Sequence, residues 1–468
     1  MKVEPIRLSG VPDDVDRTLN FLLEQLGRAD RRNRLREAYY DGKHAVRAVG
    51  TIIPPQYYRL GIVLGWSAKA VDILARRCNL DAMVWPDGDL ADLGASELWE
   101  ENRMASEVDQ GITASLIYGP AFVINTTGAE GEPDSLIHFK DARNATGEWN
   151  ARARRLDSLL SVTGRGERDQ PTSLALYLDG VTYTAEKRDG TWEWEAAEHP
   201  WGVPAEPLTY KPDIATGRPF GRSRISRPVM SLQDQAARTV IRMEAHNDVY
   251  TIPDLWMLGA DASIFKNADG SQKNAFQIVM GRIKGVPDDP DREGDANARV
   301  DVKQFPASSP QPHIMSLKQQ AQLFSGETSI PLTSLGVSDM SNPTSADSYI
   351  ASREDLIAEA EGATDEWSPA LRRAFARGLA IKNDLREIPA AWSTIDTKWR
   401  SPVYLSRAQQ ADAGAKQLAA APEWLKETDV GLELLGLSPQ QIKEARRQRQ
   451  LIDGRSLLER VVARGNGA

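Results

Sequence analysis

The sequence has 468 residues, enough for about three domains, and its 41% hydrophobic and 26% charged residues are typical of a globular protein. It has no run of about 18 apolar residues, and the N-terminal "MKVEPIRLSG" has no apolar signal core, so we expect no membrane segment. The single cysteine, Cys78, excludes an internal disulfide framework and a cysteine-based zinc site. The net charge of −9 argues against a protein that holds nucleic acid tightly, because such proteins usually carry a basic surplus.

The N-terminal part of the chain is predicted to be helical. Leucines between positions 19 and 26 share one helical face, and Gly42 ends this first helix because glycine adopts the left-handed cap conformation at little cost. A second helix centres on Trp66, and a third spans about 96–118. Cys78 follows the second helix in an apolar pattern, so we interpret it as a small core residue rather than a nucleophile.

Between about 121 and 210 the hydrophobic period changes to two, which predicts an antiparallel sheet. The segment "LALYLDGVTYTAEKRDGTWEWEAAEH" alternates and contains two Asp-Gly pairs, each suited to a hairpin turn with positive φ. We interpret the tryptophans of "TWEWE" and "AEHPWG" as parts of an interface, in preference to a sugar-stacking platform.

A helix with a narrow apolar stripe is predicted over 226–250. The stripe consists of Val229, Leu232, Ala236, Val240 and Met243, and the other faces carry polar and charged residues such as Gln233 and Asp234. Such a helix suits packing against few neighbours or against copies of itself. A small insert over 251–312 follows, with strands predicted in "DLWMLG" and "FQIVMGRIKGV", and a helix returns at 313–326.

The polar loop "SDMSNPTS" (338–345) leads into a long helix that reaches about Asp384. The apolar face of this helix is Leu356, Ala360, Ala363, Trp367, Leu371, Phe375 and Leu379. Pro369 lies inside the helix and should kink it, because its ring removes a hydrogen-bond donor and clashes with the preceding turn. From about 399 the chain predicts two or three further helices, one of them capped by Ser438.

No motif in the sequence supports catalysis or metal binding. No histidine lies four residues from another, and there is no GxxxxGK[ST] motif of a P-loop ATPase. The loop "DPDREGDANARV" has acids at calcium-loop positions from Asp289, but Val300 stands where a bidentate glutamate is needed. We interpret it as a solvated acidic loop and predict no metal, no cofactor and no catalytic residue.

Four stretches, in this order and spacing, form a pattern that covers nearly the whole chain. They are "AYYDGKHAV" (38–46), "FGRSRISRPVMSLQDQAARTVIRMEAHNDVYTIPDLWMLGAD" (220–261), "SIPLTSLGVSDMSNPTSADSYIASREDLIAEAE" (329–361) and "WRSPVYLSRAQQADAGAKQ" (399–417). Each is loose alone, but together they resemble the portal proteins of tailed double-stranded DNA bacteriophages, most of all those of actinobacterial siphophages.

The resemblance implies an α+β portal fold with a helical and β wing, a helical stem, a small β-containing clip, a long kinked helix with a tunnel loop, and a helical crown. The implied ranges are 1–225 for the first part of the wing, 226–250 for the first stem helix, 251–312 for the clip, 313–337 for the second stem helix and its return, 338–398 for the tunnel loop, kinked helix and rest of the wing, and 399–468 for the crown. It also implies a ring of subunits, usually a dodecamer.

The resemblance also implies roles for individual residues. The tunnel loop would line a DNA channel with Ser338, Asp339, Ser341, Asn342, Thr344 and Ser345. Hydroxyl and amide groups make exchangeable hydrogen bonds to a moving duplex, whereas arginines would anchor it. Pairs between neighbouring stems would come from Arg238, Arg242, Glu244 and Asp248. The clip would dock DNA or partner proteins through Lys266, Lys273, Arg282, Lys284, Asp288 and Asp289.

The implied function is that of a non-enzymatic portal through which DNA is packaged and ejected. Its partners would be copies of itself, double-stranded DNA without sequence specificity, the terminase large subunit, a head–tail adaptor or neck protein, and the major capsid and scaffolding proteins, with no membrane. It would assemble in the host cytoplasm and reside in the virion at a capsid vertex. Two alternatives stay open: another ring or adaptor protein of the virion, and a Trp-rich hydrolase or nuclease.

Overall fold

The computed structural model describes residues 5–44, 46, 55–59, 61–214, 219–250, 255–258, 270–271, 283–286, 301–304, 308–336, 353–403, 407–438 and 441–452. They belong to two compact units, Met1–Arg400 and Ser401–Ala468. The fold mixes helices and sheets, which confirms the predicted α+β class. Within these residues no helix is both long and apolar enough to cross a membrane.

The helices of the first unit agree with the sequence prediction except at two places, the short helix α2, which was not predicted, and the helix predicted over 96–118. They are α1 (Asp13–Tyr40), α2 (Pro55–Tyr58), α3 (Trp66–Ala75), α4 (Ala95–Glu101), α5 (Met104–Tyr118), α6 (Arg227–Tyr250), α7 (Gln311–Thr328) and α8 (Glu354–Lys382). The single helix predicted over 96–118 is wrong, because the chain breaks between α4 and α5. Asn102 bonds to Ser135 and Ile137 of a neighbouring strand, and Arg103 then adopts a left-handed φ of 48°.

Thirteen strands can be followed in the described residues of the first unit. They are β1 (Leu80–Val84), β2 (Pro120–Thr127), β3 (Ser135–Asp141), β4 (Ala145–Asn150), β5 (Arg155–Arg165), β6 (Pro171–Leu178), β7 (Val181–Arg188), β8 (Thr191–Glu198), β9 (Ala205–Thr209), β10 (Leu255–Leu258), β11 (Ile283–Val286), β12 (Asp301–Gln304) and β13 (Asp396–Trp399). The strand predicted in "DLWMLG" is confirmed by β10, and the end of the strand predicted in "FQIVMGRIKGV" by β11, while 276–282 lie outside the described residues. Strand β12 was not predicted.

The region predicted as an antiparallel sheet forms two sheets, with strand orders β3-β2-β9 and β4-β5-β6-β7-β8. The β7–β8 hairpin turns at Asp189 and Gly190, whose φ values of 49° and 86° are those that a two-residue turn of this kind requires. Two smaller sheets have the orders β1-β13 and β11-β10-β12. In the latter, β10 is parallel to β11 and antiparallel to β12.

The five-stranded sheet β4–β8 is packed on both faces at its central strands β5 and β6, whereas most of β7 and β8 is exposed or partly buried. On one face its apolar residues pack with the leucines of α1, and on the other with Phe122 and Ile124 of β2. Trp192 and Trp194 pack into the cluster on the α1 side, and Trp194 donates a hydrogen bond to the carbonyl oxygen of Ser9 at 2.8 Å. These two tryptophans are partly buried and pack within the subunit, and their interpretation as interface residues stays a prediction.

The main core forms around α8. All seven residues of its predicted apolar face are at most 2% exposed, which confirms that prediction. Gly378 permits the close approach of α8 to β3, because a Cβ atom there would lie 2.7 Å from Ile137. Cys78 lies in the same core, where burial raises the pKa of its thiol to about 12.

The second unit is helical in the residues that are described. It contains α9 (Arg407–Ala420), α10 (Glu423–Lys426), α11 (Asp429–Leu434) and a helix α12 over 441–452. Ser438 accepts a hydrogen bond from the backbone of Gln441, and the Gln441 side chain accepts one from the backbone of Ser438. This reciprocal pair is a capping box and confirms Ser438 as a helix cap.

Replacing Leu379 with alanine should lower the free energy of unfolding by about 2–5 kcal/mol, because it opens a cavity at a side chain that is 0% exposed. Leu35 on α1 is 41% exposed and provides the matched control. Leu35→Ala should change stability by no more than about 0.5 kcal/mol. Denaturant unfolding followed by circular dichroism measures both, and equal losses in the two variants would contradict the assignment of α8 to the main core.

Candidate functional site

Helices α6 and α7 lie side by side and antiparallel. Ser226 contacts Glu327 at 3.4 Å, Gln320 donates to Thr239 at 3.0 Å, and the ring of His246 lies 5.1 Å from that of His313. Along the chain, the small sheet β10–β12 falls between the two helices. We call α6 and α7 together the helical arm.

The helical arm is anchored to α3 and α1 by apolar and polar contacts together. Trp66 of α3 packs against Phe324 of α7 with ring centroids 5.2 Å apart. The side-chain oxygen of Gln233 accepts a hydrogen bond from the backbone of Ser67 at 2.7 Å, and Tyr39 of α1 donates to Asp234 at 3.0 Å. Gln233 and Asp234, which the sequence prediction placed on the outer faces of α6, therefore form hydrogen bonds within the subunit.

A buried arginine lies where the helical arm meets the rest of the unit. Arg224 is 6% exposed and lies three residues before the first residue of α6. Its guanidinium donates to the carbonyl oxygen of Thr328 in α7 at 2.7 Å and to the carbonyl oxygen of Ala70 in α3. It also forms an ion pair with Glu359 of α8 at 2.5 Å and donates to the Tyr210 hydroxyl at 3.0 Å.

The same carboxylate oxygen of Glu359 accepts further hydrogen bonds. The Tyr210 hydroxyl donates to it at 2.5 Å and the Lys211 ammonium at 2.7 Å. Burial alone would raise the pKa of Glu359, but Arg224, Lys211 and Tyr210 outweigh that effect and hold the pKa at about 2. We call Arg224, Glu359, Tyr210 and Lys211 the Arg224 cluster.

The Arg224 cluster joins the start of α6, the end of α7 and the second turn of α8. The polar loop predicted at 338–345 lies between α7 and α8 in the sequence. Arg224 contacts Thr328 before that loop and Glu359 after it, so a single side chain fixes both flanking helices. The geometry suits a mechanical joint, and nothing in the described cluster has the arrangement of a nucleophile with a base.

Helix α8 is held a second time, further along, by charged residues. Glu206 of β9 forms ion pairs with Arg373 at 2.9 Å and Arg377 at 2.8 Å. Arg377 also donates to Asn125 of β2, whose amide donates to the carbonyl oxygen of Ala374. The helix that follows the polar loop is thus fixed to the sheet β3-β2-β9 through side chains as well as through packing.

The structure places some of the residues predicted from the sequence. Arg242, Glu244 and Asp248 are exposed on α6, Arg238 is half-buried, and Asp248 accepts a hydrogen bond from Tyr57 at 2.8 Å. No ion pair joins Arg238 or Arg242 to Glu244 or Asp248 within the described residues of this subunit.

Other predicted residues are placed only in part. The backbone of Lys284 lies in β11 opposite Trp256. Helix α8 continues on both sides of Pro369. The remaining predicted residues lie outside the described residues: Ser338, Asp339, Ser341, Asn342, Thr344, Ser345, Lys266, Lys273, Arg282, Asp288 and Asp289.

Sequence reasoning missed the Arg224 cluster. Its members are up to 149 residues apart in the chain, and nothing local distinguishes Arg224 as buried among the three arginines of "GRSRISRP". The nearest available signal was that Glu359 directly precedes Ala360, which belongs to the apolar face of α8. Within the described residues no group of three or more histidine, cysteine or carboxylate side chains forms a metal site.

Comparison with known proteins gives a consistent result. Residues 21–422 match the family model described as phage portal protein, SPP1 Gp6-like. The chain is 24% identical over 394 residues to the portal protein of Mycobacterium phage L5, covering 81% of this chain and 77% of the relative. The portal protein of Mycobacterium phage D29 matches with the same identity and coverage.

Two solved structures resemble the chain in part. One is a chain of the neck of a native gene transfer agent particle, computed with C12 symmetry. Its TM-score is 0.39 at 16% identity, covering 86% of this chain and 98% of that chain. The other is a chain from the virion of a native gene transfer agent particle. Its TM-score is 0.37 at 15% identity, covering 86% of this chain and 99% of that chain.

Replacing Glu359 with glutamine should lower the free energy of unfolding by about 3 kcal/mol at neutral pH, because it leaves Arg224 buried without its counter-charge. Since the pKa of Glu359 is about 2 instead of 4.5, its contribution is fully present above about pH 4.5 and is lost as the pH falls toward 2. The stability gap between the wild type and Glu359→Gln should therefore narrow below about pH 4.5.

Urea unfolding at a series of pH values measures this gap. Glu361→Gln serves as the control, because Glu361 is exposed on the same helix. That variant should unfold with nearly the wild-type free energy at neutral pH. A gap between the wild type and Glu359→Gln that stays constant down to about pH 3 would contradict the role of the Glu359 charge.

Proposed function

The chain belongs to the phage portal protein family of the SPP1 Gp6-like kind, and from this premise we propose that it forms a dodecameric ring at one vertex of a phage capsid. Double-stranded DNA would enter the head through this ring during packaging and leave through it on ejection. Portal proteins are structural components of the virion, so family membership removes the hydrolase and nuclease alternatives. Family membership also removes the alternative that the chain is another ring or head–tail adaptor protein of the virion.

The helical arm and the Arg224 cluster at its base support the proposal. An arm of two antiparallel helices that is fixed to one end of a mixed helix and sheet body has the form of a stem beneath a wing. The small sheet between α6 and α7 in the sequence takes the place of the clip. The helices from Arg407 onward take the place of the crown.

The stem would contribute to the ring through its exposed face. Arg242 and Glu244 are exposed and form no ion pair within the described residues of the subunit. In a closed ring, every subunit presents one face to the neighbour ahead and another face to the neighbour behind. Arg238 or Arg242 of one stem would pair with Glu244 or Asp248 of the next. Where Asp248 is the acceptor, its hydrogen bond from Tyr57 would be replaced by the ion pair with the neighbouring arginine.

The tunnel loop is supported by the anchoring of the helices on either side of it. Arg224 contacts Thr328 at the end of α7 and Glu359 in the second turn of α8, so one side chain joins the two helices that flank the proposed loop in the sequence. A loop on such a base can be displaced by passing DNA without moving its ends. Its serine, threonine and asparagine side chains would contact phosphates, and Asp339 would limit the strength of those contacts.

The proposed partners follow from this architecture. The clip, with Lys266, Lys273, Arg282, Lys284, Asp288 and Asp289, would dock the terminase large subunit and later the neck protein. The wing would meet the major capsid and scaffolding proteins. Assembly would take place in the host cytoplasm, and the finished ring would remain in the virion.

Native mass spectrometry of the purified chain tests the proposed function most directly. We expect a closed ring with the mass of about a dozen subunits of 51.7 kDa, and a central hole in negative-stain images. A monomer or dimer that persists at every protein concentration would overturn the ring, and with it the channel.

Replacing Asn342 or Ser345 with arginine should slow DNA packaging without preventing ring formation, because each arginine adds a charged phosphate contact in the channel. The defect should diminish as salt is raised, since the added contacts are electrostatic. The alanine variants at the same two positions are the matched controls and should package faster than the arginine variants. Arginine variants that package at the wild-type rate would remove these residues from the channel wall.

A further inference from the structure

A groove rich in arginine runs between α1 and the segment that leads into α6. Its volume is about 990 Å³. The floor is apolar and includes Phe122 and Phe220, whose rings meet edge to face with centroids 5.7 Å apart. Five arginines line it, and no acidic residue does so among those described: Arg28, Arg32, Arg36, Arg222 and Arg227.

Two of the five arginines are paired with carboxylates of the subunit, Arg28 with Glu24 at 2.6 Å and Arg222 with Asp213, and the other three give the groove its excess of positive charge. Arg28, Arg32 and Arg36 are spaced four residues apart, so they share one face of α1. Burial, assisted by the charge of Arg32, lowers the pKa of Arg36 to about 10. Arg32 and Arg227 are exposed and form no ion pair within the described residues. In a chain of net charge −9, such a local concentration of basic side chains attracts an anionic partner.

The β7–β8 hairpin carries an excess of acidic side chains. Glu186 and Glu193 face each other across the two strands, a like-charge pairing that destabilises a sheet. Glu195 lies two residues further along the same face of β8, and all three carboxylates are exposed. Arg188 contacts Glu186 at 2.8 Å and Glu193 at 3.5 Å, which leaves the face with a net negative charge.

The groove and the hairpin lie at opposite edges of one sheet. The groove is lined by Ala145 and Thr146 of β4, which is one edge strand, whereas β8 is the other. Four strand spacings separate these edges, roughly 19 Å at about 4.8 Å each. The acidic face therefore cannot fill the groove of its own subunit, but it is positioned to meet a groove that a second copy presents.

We propose that the acidic β7–β8 hairpin of one subunit docks in the arginine groove of the next. The inference rests on the proposed ring, and it adds a contact outside the stem. Because the two surfaces differ and lie on opposite edges, the contact is heterologous and propagates head to tail, as a ring requires. The apolar floor distinguishes the groove from a DNA-binding surface, which would present its basic residues on an open face.

Charge reversal with rescue tests this contact. The groove variant Arg32→Glu with Arg227→Glu and the hairpin variant Glu193→Lys with Glu195→Lys should each raise the concentration for half-maximal ring assembly by at least about tenfold. The variant that carries all four changes should assemble close to the wild type. It restores complementarity between neighbours and keeps the net charge at −9. Light scattering and native mass spectrometry provide the readout.

Two matched controls separate the contact from a general effect of charge. Arg31→Glu changes an exposed arginine on α1 that does not line the groove, and Glu148→Lys changes an exposed glutamate on β4. Both variants should assemble like the wild type, and circular dichroism should show every variant folded.

The possible failures are distinct. If the wild type forms rings and either reversal leaves them unaffected, or if the fourfold variant is not rescued, the docking contact is overturned and the portal function stands. Non-rescue with both single-surface reversals impaired would indicate that each surface contacts a different part of the neighbouring subunit. If the wild type forms no ring, the proposed function itself fails.

Discussion

The ion pair between Arg224 and Glu359 is the constraint on which the arrangement of the first unit depends. An arginine that is 6% exposed is costly to bury, and it is tolerated here because its donors are shared among a carboxylate, a tyrosine hydroxyl and the carbonyl oxygens of α3 and α7. Apolar packing could hold the same helices together, but it would allow small sliding motions. Directed bonds from one planar group fix the start of α6, the end of α7 and the beginning of α8 relative to one another.

The features that local patterns encode were predictable, and those that distant residues impose were not. The apolar face of α8 follows from the helical period, and the β7–β8 turn follows from the need of Asp189 and Gly190 for positive φ. The break between α4 and α5 was missed because it depends on a hydrogen bond from Asn102 to the carbonyl oxygen of Ser135, more than thirty residues later. Gln233 was placed on an outer face because nothing in the sequence shows that Ser67 requires an acceptor.

The subunit distributes its charge in two ways. Inside the first unit, acidic and basic residues are paired closely, as in the contacts of Glu206 with Arg373 and Arg377. At the two edges of the five-stranded sheet, exposed charges of one sign predominate, with Arg32 in the groove beside β4 and Glu193 and Glu195 on β8. Internal pairs stabilise one shape, whereas segregated surface charge sets the orientation in which two subunits can approach. A chain with an acidic total can thus assemble with itself despite its overall repulsion.

The burial of Cys78 makes the chain well suited to chemical probing. Its thiol is 0% exposed and its pKa is raised to about 12, so hardly any thiolate exists at neutral pH and alkylating reagents have no access to it. Since it is the single cysteine of the sequence, a cysteine introduced at any exposed position would be the one thiol that a maleimide dye or a spin label can reach. Fluorescence energy transfer between labelled subunits can therefore be recorded without first removing a native residue from the core.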